Sequence, residues 1–523
     1  MAKATYRWIA LVMTAALFAG VGSVQGEEKS AEITVSPEKA TPKPGQVMVL
    51  SLQESILLGL KNNLDIVIEG FNPKIRATDV TAAKAVFDPD VFAEFGFGST
   101  QTPNRNTLAG VTESKVDDFD WSFGLRQDLS TGGSYELRFD NNRNFNNAQF
   151  FVVQQPVFAD LQTAYTSDIS LTVIQPLLKN FGVDINRTQI KIAENDREIS
   201  LDRFRETIMD VVTQIQDVYW DLVFTIEDLK VERRSLRLAQ ELAELNRARV
   251  RAGVAAPVEI IQAETDIAAR EALVTVAEKR MRDAEDRLKV VLNIPKEGEW
   301  GGAVHPADPA RFSPITPDLP GAVADALRMR PEYEAAKVGL SNKELNFRFT
   351  RNQLLPDLSF QGGVGINGLS ALDPSYGDSL DDLGSGNNFS YSAGLVLSVP
   401  IGNRAARAEF VKAQLGVQQA QVSLRDLELE ITAQVREAVR RINANTKLVA
   451  DTRAARELAE EQLRIEQKRL EAGVSTTFEV LRFQRDLAVT QSAEVRSLTN
   501  YNKSIANLDR VRGVVLEKHR IQM

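Results

Sequence analysis

The chain has no cysteine in 523 residues. That absence excludes disulfides, thiolate metal ligands, a cysteine nucleophile and lipidation of an N-terminal cysteine together. Histidine is almost missing too: His305 and His519 are the only two, far apart in sequence, too few for a histidine-based metal or catalytic cluster. There is no nucleophile elbow and no glycine loop of the kind that cradles phosphate. Beyond the first 26 residues no stretch resembles a transmembrane helix, because charges interrupt every apolar run. Nor is there an excess of positive charge. Lys and Arg number 62 against 71 Asp and Glu, a formal net charge of −9, whereas a nucleic-acid footprint would be basic.

What is present begins with export. Residues 1–26 have the layout of a signal peptide: Lys3 and Arg7, an apolar run from Trp8 to Val21, and the small-residue site Val24-Gln25-Gly26. The alternative is an uncleaved anchor, but the run falls short of the roughly 20 residues that a span needs. Cleavage after Gly26 removes two positive charges and no acids, taking the net charge to −11. Residues 27–49, with Pro37, Pro42 and Pro44, read as a linker.

The remainder is a duplication. Arg249-Val250-Arg251-Ala252-Gly253-Val254, followed by Glu259-Ile260-Ile261, returns as Arg469-Leu470-Glu471-Ala472-Gly473-Val474, followed by Glu479-Val480-Leu481. Each copy is a glycine break between two helix-forming runs. The long runs extend from about Asn186 to Ala252 and from about Arg404 to Ala472, each on the order of 100 Å at 1.5 Å per residue. Leu229, Leu236, Ala239, Leu242 and Leu245 form a packing stripe, and Arg233, Arg234, Arg237 and Arg247 lie among Glu232, Glu241 and Glu244 on a solvated face. Upstream, Ser51-Leu52-Gln53-Glu54 is a capping box that opens a helix to about Phe87, bent where Asn72-Pro73 interrupts it. A matching helix runs from near Leu319 to about Leu355. Leu60 then aligns with Leu327, Pro89-Asp90 with Pro356-Asp357, and Gly96 and Gly98 with Gly363 and Gly365.

Between these helices the residues alternate apolar and polar, the period of a strand. Phe119, Trp121, Phe123 and Leu125 alternate with Asp118, Asp120, Ser122 and Gly124; Tyr391, Ala393, Leu395 and Leu397 alternate with Ser390, Ser392 and Gly394. Four strands are expected in the first repeat, near 91–99, 118–128, 134–142 and 167–176. Two are expected in the second, near 358–367 and 389–399. The interval from Gly98 to Pro176 (176 − 98 = 78) exceeds that from Gly365 to Pro400 (400 − 365 = 35) by enough for an added strand pair and its loop. Alternation alone fits an ordinary soluble sheet. The tight turn Leu129–Gly133 at one end, and long polar segments near 100–116, 144–164 and 369–387 at the other, fit an outer-membrane barrel. The acidic pairs Asp117-Asp118 and Asp381-Asp382 fall in expected polar loops, where a solvated or weak calcium-binding role is the reading.

These features together resemble the TolC-like outer-membrane efflux proteins, over about Leu50 to Val515. The resemblance rests on the turns Ala252-Gly253-Val254 and Ala472-Gly473-Val474 and the helix openings Glu259-Ile260-Ile261-Gln262-Ala263 and Glu479-Val480-Leu481. It rests also on the exits Gln175-Pro176-Leu177-Leu178 and Val399-Pro400-Ile401-Gly402-Asn403-Arg404, and on the entry Leu354-Leu355-Pro356-Asp357. It implies an α+β membrane protein: a homotrimer whose strands form one outer-membrane β-barrel, continued by a long periplasmic α-helical barrel. The chain would divide into a first repeat (50–294), a connector in the equatorial belt (295–317) and a second repeat (318–523). The implied function is the exit duct of a tripartite efflux or type I secretion system, not an enzyme and without cofactor. Its implied partners are outer-membrane lipid, a periplasmic adaptor (membrane fusion protein) and an inner-membrane pump of RND or ABC type, with no nucleic acid.

The resemblance also assigns sites. Ala252, Gly253, Val254, Ala472, Gly473 and Val474 would be the adaptor-docking tips, although any such glycine is also a plain helix C-cap. Glu259 and Glu479 would sit near the periplasmic constriction, where a ring of carboxylates favours cations; a Glu in a first helical turn also simply suits the helix dipole. Ser475 and Arg482 depart from a family pattern of a basic residue after the turn and a second acid deeper in. A coiled-coil surface protein and a plain diffusion porin remain as alternatives. The strand block has no place in a filament, and the long hairpins have none in a porin.

Overall fold

A computed structural model describes residues 48–103, 111–147, 150–151, 158–159, 163–294, 302–370 and 374–521. The signal segment, most of the 27–49 linker and part of the connector, 295–301, lie outside the described residues. The chain divides into two units. In the smaller, the described Leu516–Ile521 form a helical turn closed by the Ile521 amide on the Leu516 carbonyl at 2.9 Å. The larger, Pro42–Val515, contains everything below.

Helices α1 (Leu52–Asn62), α2 (Leu64–Glu69) and α3 (Phe71–Lys84) open the larger unit. The capping box forms as expected: the Glu54 amide donates to the Ser51 hydroxyl at 3.2 Å, and the Ser51 amide to the Glu54 carboxylate at 2.8 Å. The breaks differ from the expectation. They fall at Asn63, whose side chain accepts from the Asp65 and Ile66 amides, and at Gly70. Pro73 is harmless because it lies in the first turn of α3, where its missing amide proton has no partner to lose.

The strands are β1 (Asp90–Pro103), β2 (Glu113–Asp128), β3 (Ser134–Asn146), β4 (Thr163–Pro176), β5 (Asp357–Ser370) and β6 (Phe389–Ser398). All six join one antiparallel sheet in the order β6-β5-β4-β3-β2-β1. The register puts Phe95, Trp121, Phe123, Leu137, Ile169, Leu171 and Val364 on one face, and Glu94, Asp120, Arg138, Asp140, Thr166 and Asp168 on the other. The apolar face is largely bare, with Phe95 68% and Phe97 74% exposed. Asp117-Asp118 lies inside β2, not in a loop. Asp381-Asp382 lies in a helix, α8 (Tyr376–Ser385), which packs on the apolar face of the sheet. There the Tyr376 ring packs at a tilt against Trp121 and Tyr165 and its hydroxyl donates to Asn141 at 3.0 Å, while Ser379 meets Ser167 at 3.0 Å.

Between β4 and β5 come α4 (Thr188–Arg251), α5 (Val258–Val291), α6 (Leu319–Met329) and α7 (Pro331–Asn352); after β6 come α9 (Arg404–Glu471) and α10 (Thr477–Arg512). The expected second-repeat helix is thus split at Arg330, because Pro331 disfavours a helical backbone at the residue before it. Helix α4, of 64 residues, and α9, of 68, are each about 100 Å long. Their lateral partners are the shorter helices, with α4 against α5, α7 and α10 and α9 against α10, α7 and α6; Ile431, Val435, Ala438 and Ile442 of α9 pack with Ala322, Ala326, Tyr501 and Leu508. Two fully buried tyrosines tie connector residues to this stack. Tyr219 donates to the Leu50 carbonyl and the Asp308 carboxylate at 3.2 Å, and Tyr501 donates to the Ser313 carbonyl at 2.6 Å. Burial pushes the Tyr219 phenol up to about 12. Met48–Leu50 pairs in parallel with Val304–Pro306 beside it.

Candidate functional site: the two hairpin tips

The helical hairpins end in two turns of the same geometry. At Gly253, φ is +74°, the Gly253 amide donates to the Val250 carbonyl and the Val254 amide to the Arg249 carbonyl, both at 3.0 Å. At Gly473, φ is again +74°, with bonds from Gly473 to Leu470 at 3.1 Å and from Val474 to Arg469 at 2.9 Å. This crossed pair of bonds closes each helix with a left-handed residue, the conformation in which glycine has no steric penalty. A Cβ at either glycine would meet no described atom within 4 Å, so the backbone angle alone requires glycine. Beyond each turn the chain presents bare apolar residues: Val254, Val258 and Ile261 on one tip, Val474 and Phe478 on the other. Ala252 and Ala472 are the exposed caps.

Helix α10 starts at Thr476, whose hydroxyl accepts from the Glu479 amide at 3.4 Å. Glu479 pairs with Arg482 at 2.8 Å, both groups substantially solvated. Glu259 is held differently. Its carboxylate accepts from the Thr477 hydroxyl at 2.6 Å, and Thr477 also reaches the Asn246 side chain at 3.2 Å. Thr477 and Asn246 have no solvent exposure. The structure therefore brings Glu259 against the opposite hairpin, while Glu479 engages its own helix.

Further polar links between the hairpins lie deeper. Arg270, buried on α5, bonds Asp266 one turn away and the hydroxyl and carbonyl of Ser235 on α4, and it donates to the Leu481 carbonyl of α10 at 3.4 Å. Arg485 of α10 reaches the same Asp266 at 3.0 Å. Ser492 of α10 bonds Asp228 of α4. Burial pushes the neighbouring Glu232 carboxyl upward, and the Asp228 charge adds to this. These contacts join residues up to 264 positions apart in sequence. The one signal for them is that Ser235 and Asn246 fall on the inward stripe of α4, where Leu245, expected there, is instead exposed. Among the described residues no group of three or more His, Asp or Glu is placed to hold a metal ion, and no helix is long and apolar enough to cross a membrane.

The family model described as outer membrane efflux protein matches residues 163–293 and 322–514. Nodulation protein T of Rhizobium leguminosarum bv. trifolii is 24% identical over 353 residues, covering 66% of this chain and 72% of that protein. The pyoverdine export outer membrane protein OpmQ of Pseudomonas putida is 25% identical over 311 residues, 58% of this chain and 62% of that protein. The fold is shared with the outer-membrane channel OprN, at a TM-score of 0.63, 15% identity and coverage of 92% of this chain and 98% of that one. It is also shared with the Campylobacter jejuni CmeC outer membrane channel, at 0.62, 15%, 92% and 91%. With the family model covering more than half of its length, the chain belongs to the outer membrane efflux protein family.

Proposed function

We propose that this chain is the exit duct of a tripartite efflux or type I secretion system, passively conducting cargo from a periplasmic adaptor and inner-membrane pump, of RND or ABC type, to the outside. The observation that supports this most directly is a connection. A six-stranded sheet, apolar on one face and polar on the other, passes straight into two helices about 100 Å long, each of which ends in a matching exposed glycine turn. A sheet of that kind satisfies its backbone in lipid once its edges are closed, and a helix bundle of that length reaches well clear of the membrane. The duct itself performs no chemistry. The working form is a homotrimer, with residues 50–294 and 318–523 as its repeats and 295–317 in a belt.

On this reading Ala252, Gly253, Val254, Ala472, Gly473 and Val474 are the adaptor-docking tips, and Glu259 and Glu479 lie by the periplasmic constriction. The test is accumulation of dyes, antibiotics and metal ions in a deletion strain carrying wild type or Gly473→Asp. Accumulation cured by wild type alone supports adaptor-dependent efflux. Cure by both would reject tip docking at Gly473. Unchanged cation selectivity in Glu479→Gln channels would remove Glu479 from the constriction.

A further inference from the structure

Two equal repeats would bring two strands each, as the second repeat does with β5 and β6. The first brings four, and the additional pair, β2 and β3, lies in the middle of the sheet. It is hydrogen-bonded to β1 on one side, from Asp90 opposite Arg126 to Pro103 opposite Glu113, and to β4 on the other, from Ser134 opposite Ile174 to Phe145 opposite Thr163. Removing the pair from the wall would break both of these ladders and require β1 and β4 to pair with each other instead.

Three independent features hold the pair in place. Its side chains keep the alternation of the sheet, with Phe119, Phe123 and Leu137 exposed on the same face as Ile169 and Val364. The polar face is stitched across it: Arg138 of β3 reaches over β2 to Glu94 of β1 at 2.7 Å, and Arg126 and Arg138 flank the Phe92 ring, which lies over Gly124. Its turn is fastened at the end where the helices begin. The Gly182 amide donates to the Thr131 carbonyl at 3.0 Å, the Thr131 hydroxyl bonds Gln175 at 2.9 Å, and a Cβ on Gly132 would fall 2.0 Å from the Asn180 carbonyl oxygen. A hairpin lifted out of the barrel would lose all three.

The outer strands β6 and β1 have no further strand beside them among the described residues, and both are exposed along their length. Because the number of strands is even, β6 runs opposite to β1, so β1 of a second copy continues the antiparallel pattern. We propose that β6 of each chain pairs with β1 of the next, and that the barrel closes with eighteen strands, three copies of six. This rests on the trimeric duct reading above. With strands about 4.8 Å apart and tilted about 40°, eighteen give a backbone diameter of about 36 Å, against about 24 Å for the twelve that equal repeats would supply. The outer section of the duct is then wide enough for large hydrophilic cargo, and the narrow point lies elsewhere.

The test images the purified full-length protein in lipid nanodiscs, counts strands end-on, and measures the number of copies by mass. Three copies with eighteen strands is the expected result. Three copies with twelve strands, β2 and β3 displaced, would overturn the enlarged barrel and leave the duct standing. Two copies closing twelve strands would overturn the trimer, and a particle without a closed barrel would overturn the duct. A second measurement uses bilayers and polyethylene glycols added on the side of the outer loops. The wild-type lumen should admit polymers that are excluded when Glu113–Asn146 is deleted, a change that joins β1 to β4 and preserves their antiparallel sense. Equal exclusion limits would contradict the proposal.

Discussion

The Thr477 hydroxyl donates to the Glu259 carboxylate at 2.6 Å, joining the helix that follows one glycine turn to the helix that follows the other. The donor has no exposure, and Asn246 closes the same cluster. A hydrogen bond to a charged group contributes about 1.5–3 kcal/mol. Thr477→Val keeps the shape and removes the donor, so it should lower stability by that amount in denaturant unfolding of the detergent-solubilised protein. A double-mutant cycle with Glu259→Ala should show coupling; strict additivity would mean that the bond contributes nothing.

Arg270 and Asp266, an ion pair on α5 with both groups almost fully buried, anchor a second link, since Arg270 reaches the Leu481 carbonyl and Asp266 reaches Arg485 of α10. Breaking a buried pair by deleting one partner costs about 3–5 kcal/mol, because the other charge is left without compensation. Arg270→Met should therefore be strongly destabilising, softened in part because Arg485 also reaches Asp266. Arg270→Met combined with Asp266→Leu should recover much of the loss. Thermal unfolding of the wild type and the two variants orders them, and a double variant worse than the single one would contradict this account.

At the tips, the glycine requirement is one of backbone angle. Gly253→Ala and Gly473→Ala should each cost about 1–2 kcal/mol, the penalty of a left-handed alanine, with no packing cost added. Gly473→Asn should cost less, since asparagine visits that region more readily. Hydrogen exchange at the Val474 amide, which is bonded to the Arg469 carbonyl, reports the local loss directly.

Glu232 gives the helical hairpins a pH dependence of known sign. Burial, then the Asp228 charge, hold its carboxyl above the ordinary range, while Arg270 and Arg280 oppose them. In the window between the ordinary carboxylate value and the raised one, the folded state binds more protons than the unfolded state. Stability from this group is present below that window and falls as pH rises through it. Glu232→Gln should flatten that part of the stability–pH curve. An unchanged slope would mean that the group titrates normally.

The sheet was legible because its signals are local. Period-two alternation, the Leu129–Gly133 turn and the Pro176 and Pro400 exits mark all six strands, with the helix-side ends within one residue and the loop-side ends of β1 to β5 running three to five residues further than expected. The tips were legible because they occur twice. Helix α8 was not: its ten residues include Gly377, Gly384 and three aspartates, a composition that reads as loop. It forms because Ser375 caps it, accepting from the Gly377 amide at 3.1 Å, and because Gly368 lets it lie against the sheet. Nor could sequence place Thr477 against Glu259 or Ser492 against Asp228. Those bonds depend on how two hairpins far apart in sequence lie side by side, and no local pattern encodes that.

The proposed duct has a defined topology, with the hairpin tips on the periplasmic side of the outer membrane and the loops of the sheet on the outer side. Since the chain has no cysteine, single substitutions can be labelled without background. Asn387→Cys lies just past α8 at the loop end of the sheet, and Val474→Cys lies at a tip; both positions are exposed. A membrane-impermeant maleimide should label Asn387→Cys on intact cells and reach Val474→Cys only after the outer membrane is permeabilised. Equal labelling of both positions on intact cells would contradict the duct.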